Sequence, residues 1–412
     1  MIRITSRLSM TCLPSKTPGR SRIARAPAAL SSALRGGFFR LCVTGCLGLW
    51  FLPASAGPSP INTQFEDQQI LVTLPEPSLA TTVAPTDPER LADLVQAQVQ
   101  RARSTGDPRF LGYAEGLLQQ WQGKPTARLR VLQATIDQSN HRFDAAREQL
   151  TDIIRNGNDG RQSLQARLML ANIHLVQGRY GAAADHCSQL RQQMPGLIAA
   201  SCQAQTMART GKPEAAYQQL QQQVSQTRNA SKTERLWAEG TLGDIAAQLG
   251  DPAAAFHWQT VLAADPDDLY TRAQLADWHL NRGALDQTLA LTKGYESVDS
   301  LAVIRAIALK ATGESDAERL ARDLEERFQE AQWRGNLLHK RDFARFQLDI
   351  VGNSRAALDS AYANWEDQRE PADTRLLLRA ANAAGVDNRI QTLRTWLAEN
   401  NQRDARYPET RP

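Results

Sequence analysis

Apolar residues recur at helical spacing along most of the chain, from about residue 89 to residue 400. Glycines and prolines interrupt this pattern at regular intervals. Nine turn points divide the region: Gly106, His141, Gly178, Gly211, Gly250, Gly283, Gly313, Gly352 and Gly385. The eight intervals between them average about 35 residues, a period typical of stacked helical hairpins. The pattern therefore predicts an all-α array in which each hairpin buries its apolar face against its neighbours.

Small residues lie at fixed distances from these turns. Seven residues before the turn they are Ala134, Ala171, Ala204, Gly243, Ala276 and Ala306, and five residues after it they are Ala146, Ala183, Ala216, Ala255 and Ala357. Two antiparallel helices approach closely only where small side chains face each other. These positions therefore predict where the two helices of each hairpin touch.

The stretch LMLANIHLVQGRYGAAADHCSQLRQQMP, residues 168–195, resembles a tetratricopeptide repeat. Ala171, Gly178, Tyr180, Ala183 and Pro195 stand at the spacing of that family. The resemblance extends over roughly 300 residues and implies a right-handed α-solenoid of about seven to nine helix-turn-helix hairpins.

The end hairpins depart further from the family pattern. Arg345 and Leu378 replace the small residue before the turn, and Glu318 and Ile390 replace the alanine after it. Divergent ends are expected of the capping repeats of a solenoid.

The first 56 residues have a different charge pattern from the rest. They contain eight Lys or Arg residues and no acidic residue, and they end in an apolar run followed by Ala54, Ser55 and Ala56. This order is typical of a secretory signal peptide. The letters VTGC also resemble a lipoprotein cleavage box, so a lipid on Cys46 is an alternative.

These features predict four segments: a signal peptide over residues 1–56, a Pro-rich extended tether over 57–88, a tetratricopeptide-like α-solenoid over 89–403 and a disordered tail over 404–412. We expect the mature chain to be exported, to the periplasm or to the outside of the cell. No segment after the leader has the apolar length of a membrane span.

The composition and motifs argue against several classes of function. Without the leader the chain has 40 basic (48 − 8) and 44 acidic residues, which is not the charge of a nucleic-acid-binding protein. The sequence contains no HExxH, CxxC, GxSxG or P-loop motif. We therefore expect no enzyme activity, no cofactor and no nucleic-acid partner.

Residues 247–268, AQLGDPAAAFHWQTVLAADPDD, gather His257 and three aspartates, Asp265, Asp267 and Asp268. With Gly250 as the turn, His257 lies inside a helix and the aspartates flank Pro266 in the turn between repeats. Aspartate there satisfies free backbone groups and caps the next helix. The order lacks the ligand spacing of a calcium loop. We predict a joint between repeats rather than a metal site.

Two cysteines, Cys187 and Cys202, remain after the leader. In an oxidising compartment they could form a disulfide between neighbouring helices. The alternative is a pair of buried thiols that act as small hydrophobic residues.

The family resemblance implies a ligand surface on the concave side, which the first helix of each hairpin lines. Projection of that face gives Gln165, Leu168, Asn172, Leu175, Gln205, Arg209, Trp237, Asp244, Gln248, Tyr270, Asp277 and Asn281. These residues predict a polar groove with two aromatics, suited to an extended peptide or a partner helix. Ordinary solvated positions are the alternative. Most tryptophans are expected to pack between hairpins, and a few to be exposed anchors for a ligand.

The sequence thus predicts a non-enzymatic protein–protein interaction scaffold of the bacterial envelope, which binds a peptide or partner protein in its concave groove. The alternative is a structural accessory subunit of an envelope secretion or polysaccharide-export assembly. Such a subunit would dock by its convex face or its ends.

Overall fold

Consecutive helices pair into hairpins along the whole of the chain that the structure, a computed structural model, describes: residues 86–408, except 158 and 336. The first five hairpins are α1 (Pro88–Thr105) with α2 (Arg109–Gln119), α3 (Ala127–Ser139) with α4 (Phe143–Asn156), α5 (Gly160–Val176) with α6 (Tyr180–Gln193), α7 (Leu197–Arg209) with α8 (Pro213–Gln226), and α9 (Lys232–Leu249) with α10 (Ala253–Ala264). The other four are α11 (Leu269–Asn281) with α12 (Leu285–Thr292), α13 (Asp299–Thr312) with α14 (Asp316–Trp333), α15 (Lys340–Phe346) with α16 (Ser354–Asp367), and α17 (Pro371–Ala384) with α18 (Asp387–Glu399).

This architecture confirms the predicted all-α array of helical hairpins. The described residues form nine hairpins, the upper end of the predicted range, and they contain no strand. The first helices of most successive hairpins pack side by side, so they share one face of the array, here called the inner face. In the eighth hairpin, α15 continues into a π-helical stretch, Gln347–Val351, before the turn.

Each predicted turn point has a positive φ angle. At Gly250, φ is 76°, and the amide of Asp251 donates to the carbonyl of Ala246 at 2.9 Å, which closes the end of α9. The second turn has a different residue type. His141 adopts a φ of 58° at the position where the other eight turns have glycine.

The small residues lie where the two helices of each hairpin touch. The alanines before and after the turns of the second, third and fourth hairpins are all buried. In the fifth hairpin the predicted Ala255 is wrong by one position, since Ala254 is the fully buried residue. The reason is local, because α10 begins three residues after its turn, whereas α4, α6 and α8 begin two residues after theirs. The amides of Ala254 and Ala255 donate to the carbonyls of Asp251 and Pro252 in this extra turn.

The last hairpin packs across the inner face of earlier hairpins. The amide of Arg369 donates to the carbonyl of Val176, at the end of α5, at 2.6 Å. The ring centroid of Trp396 lies 6.1 Å from that of Tyr180. Residues 401–408, here called the C-terminal segment, continue along the edge of this face, past the turn ends of the third, fourth and fifth hairpins. Residues 404–408 are therefore packed against the protein, which differs from the disordered tail expected from the sequence.

Other parts of the predicted organisation fall outside the described residues: the signal peptide, Cys46 and residues 57–85 of the tether. The first helix begins at Pro88, at the predicted end of the tether. None of the described helices combines the length and the apolar character needed to cross a membrane.

Gly243 provides a direct test of the close contact inside a hairpin. A Cβ at this position would lie 2.6 Å from Nε1 of the buried Trp258. We expect Gly243→Ala to lower the free energy of unfolding by about 1–3 kcal/mol, measured by urea denaturation, because the ring must shift in a packed core.

Gly116, inside α2, is the matched control, since a Cβ there has nothing within 4 Å. Gly116→Ala is expected to raise the free energy of unfolding by about 0.5–1 kcal/mol, through the better helix propensity of alanine. Equal effects of the two substitutions would contradict the packing argument.

Candidate functional site

The predicted groove residues come from α5, α7, α9 and α11, and the structure divides them into two groups. Leu168 and Trp237 are only 2% exposed and belong to a core cluster between hairpins, together with Cys187 and Cys202. Asn172 is 1% exposed. These side chains are not accessible to a partner, because the flank of each first helix is covered by the next hairpin.

The second group comprises Arg209, Asp244, Gln248, Tyr270 and Asp277. Gln248 binds the C-terminal segment and Asp277 pairs with Arg375 of α17, whereas Arg209, Asp244 and Tyr270 line a cleft between the inner face and these later parts of the chain. Of the remaining predicted residues, Asn281 is exposed, Gln165 and Gln205 are half-buried, and Leu175 is buried.

Gln248 of α9 is the main contact of the C-terminal segment. Its Nε2 donates to the carbonyl of Arg403 at 2.6 Å, and its backbone carbonyl accepts from the amide of Ala405 at 2.8 Å. Its Oε1 accepts from Nη1 of Arg209 at 2.8 Å, which fixes the orientation of the amide. One residue of the inner face therefore binds the backbone of the segment at two positions.

Further contacts to the same segment come from the turn ends of the third and fourth hairpins, at the edge of the inner face. The hydroxyl of Tyr180 donates to Oε1 of Gln402 at 3.3 Å. The guanidinium of Arg403 donates to the carbonyl of Gly211 at 3.3 Å and lies 3.7 Å from the carboxylate of Glu214. The segment is non-helical, and most of these contacts involve its backbone or the backbone of the array.

Asp277 of α11 anchors the last two hairpins to the inner face. Its two carboxylate oxygens lie 2.5 Å from guanidinium nitrogens of Arg345 and Arg375. Burial alone would raise the pKa of Asp277, but the two guanidinium groups hold it well below its ordinary value. The carboxylate is therefore ionised at any pH near neutrality.

This ion pair explains a departure from the repeat pattern. Arg345 stands where other hairpins have a small residue, and its side chain points to Asp277. The neighbouring Ala344 is the fully buried small residue that packs in one cluster with Ala357 of α16. Asp349, one turn further on, accepts from Arg379 of α17 at 3.2 Å. Alternating acidic and basic side chains thus link α11, α15 and α17.

A cleft of about 40 Å³ lies between the C-terminal segment and the inner face. Arg209, Asp244 and Tyr270 line one side, and Arg341, Glu370 and Arg406 line the other. Its charges are matched within the protein: Arg341 lies 3.5 Å from Glu370, and Arg406 lies 2.6 Å from Asp404.

The residues around the fifth turn form a joint between repeats. Nδ1 of His257 lies 2.7 Å from a carboxylate oxygen of Glu239, and its Nε2 lies 2.8 Å from the hydroxyl of Tyr217. Oδ1 of Asp268 accepts from the amide of Thr271 at 2.9 Å, so the predicted cap of the following helix is confirmed. Among the described residues, no three His, Cys, Asp or Glu side chains are grouped to hold a metal ion.

Cys187 and Cys202 form a disulfide in the structure, with their Cα atoms 5.5 Å apart. The bond joins α6 to α7 and lies in the core cluster that also contains Trp237. It therefore links the third hairpin to the fourth.

Sequence reasoning missed the inward-facing residues of the last hairpin and the segment after it, namely Arg375, Gln402, Arg403 and Ala405. It also did not distinguish Trp333 from the other tryptophans. Trp333 is 87% exposed at the end of α14, whereas Trp237, Trp258, Trp278 and Trp365 are buried. The sequence contains one signal for Arg375. Asp277 places a negative charge on a helix face predicted to bind a ligand, and in the structure that charge pairs with Arg375.

Replacement of Asp277 tests the anchoring of the last hairpins. We expect Asp277→Asn to lower the free energy of unfolding by about 3–5 kcal/mol, since it leaves Arg375 without its counterion and leaves Arg345 only the more distant Asp349, at 3.6 Å. Because the folded pKa is depressed, the stabilisation is present above the unfolded pKa of about 3.9 and is lost as pH falls through the folded pKa. Urea denaturation should therefore give the same difference at pH 7 and at pH 5.

The exposed Asp267 serves as control for the same chemical change, and Asp267→Asn is expected to shift the free energy of unfolding by less than about 0.5 kcal/mol. A loss below about 1 kcal/mol for Asp277→Asn would contradict the anchoring role.

Comparisons with known proteins give structural similarity only. No protein-family model matches the chain, and no curated protein sequence matches it. The crystal structure of a Rap protein complexed with competence and sporulation factor is similar at 14% identity and a TM-score of 0.47, over 76% of this chain and 88% of that chain. Yeast Tom70 is similar at 12% identity and a TM-score of 0.36, over 76% and 81%. The TPR domain of P58(IPK) is similar at 13% identity and a TM-score of 0.20, over 74% and 90%. With TM-scores below 0.5, these similarities do not identify a function.

Proposed function

We propose that the chain is a non-enzymatic recognition scaffold that binds a non-helical segment of a partner protein on its inner face. One observation carries this proposal. The inner face already holds a non-helical stretch of polypeptide, residues 401–408 of the same chain, and Gln248 binds the backbone of that stretch at two positions.

Backbone contacts of this kind are independent of the peptide sequence. A partner segment that follows the same path would make the same two hydrogen bonds with Gln248, and the nearby cleft would select its side chains. The C-terminal segment is tethered, so its effective concentration at the site is in the millimolar range or above. A partner therefore binds by displacing it, and the segment acts as a competitor.

A second candidate function is docking through the outer helices, as a structural subunit of a larger assembly. Trp333 at the end of α14 is 87% exposed and Phe256 of α10 is 67% exposed. Both helices are the second of their hairpins, away from the inner face. Large exposed aromatic side chains are enriched at interaction hot spots, which favours this candidate.

We also propose that the protein acts after export, in the bacterial envelope or outside the cell. The charge pattern of the first 56 residues and the disulfide between Cys187 and Cys202 both support this location, since disulfides persist in oxidising compartments.

Release of the C-terminal segment tests the inner-face proposal. Ala405→Pro removes the amide hydrogen that donates to Gln248, and it changes nothing on the inner face itself. We expect peptides selected from a random display library against the full chain to bind this variant about tenfold more tightly, because their competitor is weakened. Ala405→Ser keeps the amide and is expected to bind them as the wild type does.

A second substitution separates the two surfaces. In the Ala405→Pro background, Gln248→Ala should weaken peptide binding about tenfold, and Gln259→Ala on the exposed side of α10 should not. A synthetic peptide of residues 400–408 should compete. Peptide binding that is insensitive to Gln248→Ala and abolished by Trp333→Ala would reject the inner face in favour of outer docking.

The disulfide and the export signal are tested together on protein recovered from the producing cell. We expect the chain to begin at Gly57 and to contain no alkylatable thiol at Cys187 or Cys202 before reduction. Since the bond closes a loop with a sequence separation of 15, reduction should lower the free energy of unfolding by about 3 kcal/mol, measured by urea denaturation.

The double variant Cys187→Ala/Cys202→Ala provides the control, because its stability should not respond to the reductant. Full alkylation of both cysteines in the unreduced wild type, or an intact leader, would contradict the proposed location.

A further inference from the structure

A second cavity, of about 90 Å³, lies apart from the inner-face site. It is enclosed by the turn of the first hairpin, the turn of the second hairpin and the residues just before α15. Its apolar lining includes Ala102, Leu111 and Leu338. Its polar lining residues, here called the polar wall, are Arg103, Gln138, Ser139, His141 and His339.

Gln138, at the end of α3, lines the polar wall and is fully buried. Neither its Oε1 nor its Nε2 has a hydrogen-bond partner. A buried primary amide without partners is unfavourable, because both of its polar atoms lose hydrogen bonds to water on folding. The side chain therefore presents one unused donor and one unused acceptor to the cavity.

Arg103 of α1 provides a positive charge on the same wall. Its Nε is buried without a partner, and no carboxylate pairs with it in the part of the chain that the structure describes. Burial lowers the pKa of Arg103 to about 9, so the guanidinium is charged at neutral pH. Of the neighbouring carboxylates, Asp107 is ion-paired with Arg109 and Asp137 with Arg142.

Ser139, His141 and His339 are the other polar residues of the lining. Nδ1 of His339 lies 2.9 Å from Oδ2 of Asp299, whose other carboxylate oxygen pairs with Arg327. Burial lowers the pKa of His141 to about 3, so the ring is neutral. Its Nδ1 accepts from Nε2 of Gln368 at 3.5 Å, which leaves Nε2 of the ring as a hydrogen donor. His141 adopts a left-handed backbone conformation, which places its ring at the cavity. The other eight hairpin turns have glycine at this position, because a residue with a side chain adopts this conformation at an energetic cost.

We propose that this cavity binds a small carboxylate with an adjacent hydroxyl, of the size of glycolate or lactate. The guanidinium of Arg103 matches a carboxylate, and Nε2 of Gln138 adds a second donor to it. Oε1 of Gln138 requires a donor from the ligand, which the hydroxyl supplies. The wall formed by Leu111 and Leu338 accommodates a methyl group.

The proposal predicts selective binding by the full chain in isothermal titration calorimetry. Glycolate and lactate should bind, and acetate, which has no hydroxyl, should bind at least about tenfold more weakly. Arg103→Met and Gln138→Leu should each weaken binding of glycolate at least about tenfold. Arg90→Met, on the exposed side of the same helix, should leave it unchanged.

Thermal unfolding distinguishes loss of the site from loss of the fold. Gln138→Leu removes two unpaired buried polar atoms, so its melting temperature should not fall below that of the wild type. The proposal is overturned if glycolate and lactate give no heat at about 10 mM, if acetate or inorganic phosphate binds as tightly as glycolate, or if the two variants bind glycolate as the wild type does.

Discussion

The carboxylate of Asp277 lies between two guanidinium groups, and the position of the last two hairpins depends on it. Arg375 is 98 residues away in the sequence, and Arg345 belongs to a different hairpin again. In an array of repeats each unit normally contacts only its neighbours. Here a buried charge creates a long-range contact instead. Asp277 is the centre of this contact, because its removal would take the counterion from Arg375 and the nearer counterion from Arg345.

Placement of the last hairpin determines what the inner face can do. With α17 held against α11, the chain after α18 runs along α6–α9 and reaches Gln248. The cleft beside Asp244 and Tyr270 exists only because Arg341, Glu370 and Arg406 are brought opposite them. The inner face is therefore a surface shared between the array and its own end. Under the proposed function, recognition of a partner there would be a competition between two polypeptide segments.

The parts of the fold that depend on local sequence could be predicted, and those that depend on distant pairs could not. A glycine at a turn and an alanine seven residues before it act within one hairpin, so Gly250 and Ala171 identify their roles without further information. Projection of a helix face from the sequence treats the whole face as exposed, although neighbouring hairpins cover its flank. For that reason the sequence places Leu168 and Trp237 in the groove, whereas the structure shows that they are core residues. Nothing near Asp277 in the sequence indicates Arg375 as its partner.

The hydrogen bond between Gln248 and the carbonyl of Arg403 joins residues that are 155 positions apart. Synthesis proceeds from the amino terminus, so α5–α11 are complete well before residues 401–408 emerge. During that interval the inner face has no internal occupant. Under the proposed recognition at the inner face, a nascent molecule would therefore bind a partner segment without a competitor, whereas the finished molecule has one.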